Sequence, residues 1–408
     1  MFKIIALILI SLYFCFQLFL QILRYRNRNA GIPEELNDIY DEERYLKWKQ
    51  YSAEKIKIEL FSSITSTLVM VLLIVFDVFA LVSKNIDNIY TSALIVLAVF
   101  IGVDTLVSLP FTYINTIKIE DKYGFNKSTT KTFVVDQIKS FVITAIITIG
   151  LTMLFIVLYE AMHEYILILF SAIVFVIVLF ISFLYPIISK MNNKFVSLEE
   201  GELRTSLINM LESHGYKVSD IKVMDASRRT TKSNAYFTGF GKLKTIVLYD
   251  NLLNIMSNEQ ILAIFAHEMG HGLHKDSLKG SVFSLLNIII FVLFAWLLVY
   301  YPDIYKDFGF NGLNYGFAVV LLINVVLPFV SVILNLISSA LSRKHEYKAD
   351  EQAFKEGYSE ELISALKVLS RENLSDLNPH PLIVLLYYSH PTLLQRINHI
   401  RELEKKNN

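Results

Sequence analysis

Residues 258–301 set two unlike stretches almost end to end. The first reads Asn258-Glu-Gln-Ile-Leu-Ala-Ile-Phe-Ala-His267-Glu268-Met-Gly270-His271-Gly272. The second, SVFSLLNIIIFVLFAWLLVYY at 281–301, carries no charged side chain. In the first, Ile261, Leu262, Ile264, Phe265 and Met269 recur with helical spacing, and Ser257 with Gln260 makes a capping box at its start. The second has the roughly 20 apolar residues that a helix needs to cross a bilayer. A patterned helix with polar flanks that abuts a membrane span predicts a membrane protein with folded material beside the bilayer.

Working outward, the same kind of apolar run recurs. Seven segments qualify as spans: Phe2–Leu23, Glu59–Val82, Ser92–Ile117, Phe141–Tyr159, Tyr165–Ile188, Ser281–Tyr301 and Leu313–Leu341. The first is read as a retained span, because Arg24, Arg26 and Arg28 follow it and no small-residue cleavage site does. The link near Met162–Glu164 is so short that spans four and five should form an antiparallel hairpin. Composition agrees: of 408 residues 54% are hydrophobic and 19% charged, with mean hydropathy +0.46. Soluble domains lie near about 45–50% apolar and about 25% charged. A soluble enzyme, a disordered chain and a fibrous repeat are excluded. The lone Cys15 permits no intrachain disulfide or cysteine-based zinc cluster. Net charge is zero, so nothing suggests a nucleic-acid partner. Asp77, Asp104, Asn287, Asn324, Asn335 and Glu160 lie in or beside spans and should face protein or a wet cavity, with interhelical hydrogen bonding the default role.

The neutral total hides an asymmetry. Only Lys3, Lys84 and Lys306 fall on one side of the seven-span arrangement, while the loops at 24–57 and 118–139 carry eight and five Lys/Arg on the other. The basic side should be cytoplasmic. Everything large enough to fold outside the spans lies there too, at 190–280 and 342–408. The chain thus divides into a membrane region at 1–190 with five spans and a second domain at 191–408, interrupted by spans six (281–301) and seven (313–341).

On a helix, His267 and His271 lie four residues apart on one face and can both reach one zinc ion. Glu268 follows the first histidine and is placed as general base toward a water polarised by the metal. Gly270 keeps the helix surface low beside it. A third protein ligand is needed, and Glu346 is the best choice, in Ser342-Arg-Lys-His345-Glu346-Tyr-Lys-Ala349-Asp350 just after span seven. Spans six and seven return the chain to the same side. Asp350, at i+4, could hold a ligating imidazole, and small Ala349 would allow close helix packing. Taken alone, this second segment reads as an ordinary charged helix.

With these motifs, the chain resembles the type I CAAX prenyl endopeptidases, integral-membrane zinc metalloproteases. Asp225-Ala-Ser-Arg-Arg-Thr-Thr-Lys-Ser-Asn234-Ala235-Tyr-Phe-Thr-Gly-Phe-Gly, followed by Lys244-Thr-Ile-Val-Leu-Tyr-Asp250, is similar to the family's substrate-binding strand. Tyr388-Ser-His390-Pro391-Thr-Leu-Leu-Gln-Arg396-Ile resembles its late His-Pro…Arg element. Leu109-Pro110, Ile119-Glu-Asp-Lys-Tyr-Gly124-Phe-Asn126-Lys and Tyr45-Leu-Lys-Trp-Lys-Gln-Tyr-Ser52 resemble its non-catalytic half. The resemblance implies a mainly α fold, seven transmembrane helices around a hydrated chamber plus a cytoplasmic zinc-metallopeptidase domain with a small β-hairpin or sheet. It implies one zinc ion per chain on His267, His271 and Glu346, with Glu268 as base. His390 would hydrogen-bond the developing oxyanion, and Arg396 would steady a site carboxylate. A tetrahedral oxyanion does need a second electrophile, although His390 alone reads as a turn histidine before proline. Asn234 and Ala235 would lie on an edge strand that pairs with an extended peptide. Gly239-Phe-Gly241-Lys also reads as a plain hairpin turn.

The implied substrate is a peptide or protein with a C-terminal CAAX-like sequence, with or without a prenyl group, approached from membrane lipid. His274, three residues past His271, reads as a supporting or surface histidine. The compact length leans toward a bacterial cell membrane; the Lys405-Lys406-Asn407-Asn408 end would suit the endoplasmic reticulum of a eukaryote. Two other readings stand beside this one. They are a membrane quality-control zinc protease without a prenyl requirement, and a non-catalytic receptor on the same scaffold. An intramembrane-cleaving site is disfavoured, because the histidine motif lies outside the spans.

Overall fold

The computed structural model describes residues 1–238 and 243–407. The membrane half runs through α1 (Phe2–Asn27), α2 (Glu42–Val75), α3 (Val78–Ser83), α4 (Ile89–Tyr113), α5 (Glu120–Lys122), α6 (Thr130–Met162) and α7 (Ile166–Asn192). The second half begins with β1 (Phe195–Ser197), α8 (Glu202–Ser213), β2 (Lys217–Met224), β3 (Ala235–Thr238) and β4 (Leu243–Tyr249). It continues with α9 (Asp250–Ile255), α10 (Asn258–Leu273), α11 (Asp276–Tyr300), α12 (Tyr315–Leu321) and α13 (Leu327–Lys355). Three short helices close it: α14 (Ser359–Glu372), α15 (Pro381–Tyr387) and α16 (Leu393–Asn407). Among the described residues six helical segments are long and apolar enough to cross a membrane. The remaining expected span, 165–188, lies in helix α7, with an apolar stretch at Ile166–Ser182.

In lipid every backbone polar group must be satisfied within the protein, which is why these runs are helices. Their outward faces keep large apolar side chains such as Leu106, Ile146 and Ile168 exposed, as a lipid-facing surface requires. Helix α6 turns into α7 at His163, whose φ of 47° makes the tight reversal expected there. Helix α2 ends earlier than its apolar pattern suggests. Asp77 adopts a left-handed conformation (φ 52°) and accepts an ion pair from Lys3 at 2.8 Å, so it breaks the helix instead of lying within a span. Asp104 and Asn324 line a cavity of about 480 Å³ with Tyr13, Ser66, Thr67 and Ser331, as expected for polar groups at this depth. Glu160 accepts from the Tyr90 hydroxyl at 2.8 Å.

The last membrane-crossing segment is compound. A π-helical stretch, Leu322–Val326, joins α12 to α13, and α13 runs 29 residues without a break. At 1.5 Å per residue it is roughly 44 Å long, so one rigid rod crosses the membrane and carries Glu346 beyond it. The sheet has the order β1-β2-β4-β3, with β2 and β4 parallel and the other pairs antiparallel. It is larger than a bare hairpin. β3 pairs Ala235 with Leu248 and Phe237 with Ile246, and its other side is an edge. The expected turn Gly239-Phe-Gly241-Lys lies outside the described residues.

Two principal cores result. One is intramembrane, built on Phe79, Val96, Ile156, Tyr305, Phe317 and Val320. The other lies beside the membrane and mixes the two halves: Leu36, Trp48, Tyr51, Tyr123 and Phe125 pack in one cluster with Leu211, Ile221, Ile246 and Phe265.

Helices α4 and α12 meet at Gly316, where a Cβ would fall 2.4 Å from the Ala93 carbonyl oxygen and 3.0 Å from its Cα. Backbone lies on both sides, so neither can yield cheaply. Gly316→Val should therefore destabilise by about 1–3 kcal/mol, read as a lower melting temperature of purified protein in detergent.

Candidate active site

Helix α10 starts as its sequence predicts. Ser257 Oγ accepts from Gln260 N–H at 3.3 Å, and Gln260 Oε1 accepts from Ser257 N–H at 3.0 Å. Its Ile261, Ala263, Phe265 and Met269 are buried, so the histidine face is fixed in rotation by packing. Helix α13 crosses it at Gly270, where a Cβ would sit 2.9 Å from Ala349 Cα and 3.3 Å from Ala349 O. The close approach expected of that small pair is present. It brings Glu346, one turn before Ala349, against both histidines.

Glu346 is 3% exposed. Its Oε2 lies 3.4 Å from His267 Nε2 and its Oε1 lies 3.3 Å from His271 Nε2. The three donor atoms fall within 4.8 Å of one another and could hold a metal ion; among the described residues no other such group of three occurs. Glu346 Oε2, buried, has no well-aligned hydrogen bond although His390 Nδ1 is 2.9 Å away. Ligands at about 2.0–2.1 Å around a tetrahedral zinc would stand roughly 3.3 Å apart. The two carboxylate–imidazole separations match that value, so these residues fit the ion.

Both imidazoles are held from behind. His267 Nδ1 lies 2.8 Å from Asp350 Oδ1, and Asp350 is fully buried. Arg396 Nη2 also stands 3.1 Å from Nδ1; with the proton on Nδ1 and shared with Asp350, the Nε2 lone pair is free for a metal. Arg396 clamps the same carboxylate with two bonds, Nε–Oδ2 at 2.9 Å and Nη2–Oδ1 at 2.5 Å, and its Nη1 stands 3.7 Å from Glu346. Arg396 therefore meets a site carboxylate, chiefly Asp350. Removing one member of such a buried, fully paired set would cost about 3–5 kcal/mol. For His271 the corresponding acid is Asp276, at 3.0 Å from Nδ1. Burial opposes a charged His271, but the hydrogen bonds and charge of Glu346 and Asp276 prevail and push its pKa up to about 9. The site favours positive charge at this point.

Asp276 was not expected from sequence. It follows His271 by five residues, and only the left-handed Lys275 (φ 55°) between α10 and α11 turns it back toward the imidazole. His345 Nε2 stands 3.6 Å from the same carboxylate. His274 caps the end of α10 and is not part of the donor group. Glu268 is partly exposed and engages in no hydrogen bond or ion pair among the described residues, so its carboxylate is uncommitted. His390 and Arg396 both line an open groove of about 430 Å³ with Tyr388 and Thr392. Asn234 and Ala235 stand at the start of edge strand β3, which packs on α10. Asn234 C=O accepts from Tyr249 N–H at 3.1 Å. By antiparallel alternation Ala235 and Phe237 then turn their backbone groups to the open edge, where the Ala235 N–H donates to Asn234 Oδ1 at 2.9 Å.

Comparisons with known proteins agree with this arrangement. A family model described as CAAX prenyl protease N-terminal, five membrane helices, matches residues 21–190, and one described as peptidase family M48 matches 197–404. CAAX prenyl protease 1 of Saccharomyces cerevisiae is 32% identical over 97% of this chain and 94% of its own length. The human CAAX prenyl protease 1 homolog is 28% identical over 92% of this chain and 89% of its own. A crystal structure of S. mikatae Ste24p superposes with a TM-score of 0.91 at 29% identity, covering 98% of this chain and 99% of that one. The chain belongs to the type I CAAX prenyl protease family of M48 peptidases, and it is an integral-membrane metalloprotease.

Two substitutions probe how the donor set is held. Asp276→Asn should weaken metal retention by about 10- to 100-fold, measured by zinc loss to a competing chelator. Gly270→Ala should push α13 away from α10 and lower bound metal and activity in parallel; full metal content in that variant would contradict the role of the close approach.

Proposed function

We propose that the chain is a zinc-dependent endopeptidase that cuts near the C-terminus of CAAX-type substrates, on the cytoplasmic side of its membrane. The observation that carries this reading is the buried Glu346 carboxylate, 3.3 and 3.4 Å from two imidazole Nε2 atoms, beside an uncommitted Glu268 and an open β edge. The CAAX preference is supported by the names of the yeast and human relatives. The division into a membrane region at 1–190 and a peptidase region at 191–408 is part of the same proposal. The cytoplasmic side rests on the basic loops. The bacterial lean loses its argument from length, since the chain covers 94% of the yeast protein.

His267, His271 and Glu346 would hold the zinc. When bound, it would supply Lewis-acid polarisation of the attacking water and of the scissile carbonyl. Glu268 takes a proton from that water as its oxygen attacks the carbonyl carbon. The developing oxyanion receives a hydrogen bond from His390. The carbon–nitrogen bond then breaks, and Glu268 returns the proton to the leaving amine. Asp350 and Asp276 keep each imidazole in the tautomer with Nε2 free, and Arg396 holds Asp350. Asn234 and Ala235 start the edge along which the peptide lies extended, paired through the outward groups of Ala235 and Phe237.

Glu268→Gln should lower cleavage by at least about three orders of magnitude while leaving bound zinc unchanged. Retained activity would remove Glu268 as base. A farnesylated CAAX peptide should be cut faster than the same peptide without the lipid; equal rates would favour a protease with no prenyl requirement.

A further inference from the structure

The backbone just ahead of β3 is held by the membrane half. Lys127 N–H donates to Arg229 C=O at 3.0 Å, and Thr231 N–H donates to Phe125 C=O at 3.1 Å. Thr231 Oγ1 donates to Gly124 C=O at 3.1 Å, and Asn126 forms an antiparallel bridge with Thr230. Gly124, at φ 87°, makes the turn after α5 that brings Phe125 and Asn126 into reach. On the other side, Asn251 Nδ2 donates to Thr230 C=O at 2.7 Å.

Beneath this pairing lies one carboxylate between two ammonium groups. Glu120 Oε2 accepts from Lys232 Nζ at 3.0 Å. Its Oε1 accepts from Lys55 Nζ at 2.9 Å and from the Tyr51 hydroxyl at 2.7 Å. The Glu120 side chain is 14% exposed and the Lys232 side chain 37%. Lys232 Nζ also stands 4.6 Å from the centre of the Phe125 ring. Tyr51 and Lys55 at the same time line the cavity of about 590 Å³ between α1, α2 and the α14–α15 segment. Lys232 is two residues before Asn234.

We infer that Glu120 is a positioning residue for peptide binding: it anchors Lys232, and through Lys232 the start of β3, against α2 and α5. The inference rests on the proposed reading of β3 as the peptide-pairing strand. The charges give it a definite pattern. Without the Glu120 charge, Lys55 and Lys232 face each other across a partly buried gap, and the more exposed Lys232 leaves, loosening Ser233–Ala235. Without the Lys232 charge, Glu120 still holds Lys55 and Tyr51, so the membrane side stays intact while the strand loses its anchor. Once Glu120 is neutral and Lys232 has left, its contacts with the Tyr51 hydroxyl (3.3 Å) and the Phe125 ring are gone as well, so removing Lys232 too adds little. The zinc donors lie on other elements, so peptide affinity changes and the chemical step does not.

The test uses the purified full chain with a peptide that the wild-type protein cuts, and follows KM, kcat, bound zinc and melting temperature. Lys232→Met and Glu120→Gln should each raise KM by about 3- to 10-fold, with kcat within about twofold. Zinc content should stay unchanged, Lys232→Arg should restore KM, and the double variant should match Glu120→Gln. A purely structural role would instead lower kcat together with zinc content or melting temperature and leave KM alone, which would overturn the inference. Additive effects in the double variant, or an Arg that rescues no better than Met, would overturn it too. Should Glu120→Gln fail to fold, the partly exposed Lys232→Met and Lys232→Arg pair decides alone. Ala235→Pro tests the strand apart from its anchor, by deleting an outward N–H of the edge. If it raises KM while Lys232→Met does not, the anchor is wrong and the strand reading stands; if neither moves KM, the strand reading falls and the anchor with it.

Discussion

Helices α10 and α13 can touch backbone to backbone only because Gly270 faces Ala349, and the donor set depends on that contact. The two histidines are fixed relative to each other by the 3.6-residue turn of one helix. Their relation to Glu346 is set by the separation of two helices, and a single added Cβ at 270 would fall 2.9 Å from the facing backbone. Farther apart, the Glu346 carboxylate could not stand 3.3–3.4 Å from both Nε2 atoms. Around that contact each polar group behind the site has a partner. Asp350 meets His267 and Arg396, and Asp276 meets His271. Buried charge of this density is tolerable only when it is so paired.

The membrane enters through α13. Below the π-helical stretch, α13 keeps its backbone hydrogen bonds within one unbroken helix, because no backbone group can be left unsatisfied in lipid. Its continuation to Lys355 inherits that rigidity. Glu346 therefore lies at the end of a membrane-anchored rod, while His267 and His271 lie on a helix whose successor, α11, re-enters the membrane after a two-residue break. The donor group thus sits where two membrane-crossing helices begin and end, close to any substrate held by a lipid.

The two halves are not independent bodies. Trp48, Tyr51, Tyr123 and Phe125 from the first half share a core with Phe265 and Ile246 from the second. The Glu120 network and the Asn126–Thr230 bridge add polar ties at the same seam. The sequence places its composition boundary near residue 190, where the apolar runs pause, yet the packing boundary passes elsewhere. Hydropathy reports which residues avoid water; it carries no information on which distant segments share a core.

Much of the architecture was legible in the chain because it follows from local rules. Apolar runs of span length specify helices, the capping box specifies where α10 begins, and the i, i+4 spacing specifies that His267 and His271 share a face. Small residues at 270 and 349 and the Glu346–Asp350 spacing pointed to the crossing and to the acid behind an imidazole. Other features were not legible, and each miss has a cause. The break at Asp77 and the return of Asp276 to His271 both depend on a left-handed non-glycine residue, which no composition signal marks. The parallel β2–β4 pairing joins segments separated by β3. The Glu120 cluster gathers side chains from positions 51, 55, 120 and 232. The sequence by itself determined the spans, the motif helix and the chemical types in the site, since these depend on periodicity and residue identity. Only the tertiary structure decided which acid meets which histidine and what holds the edge strand, since those are distances between elements that the chain encodes far apart.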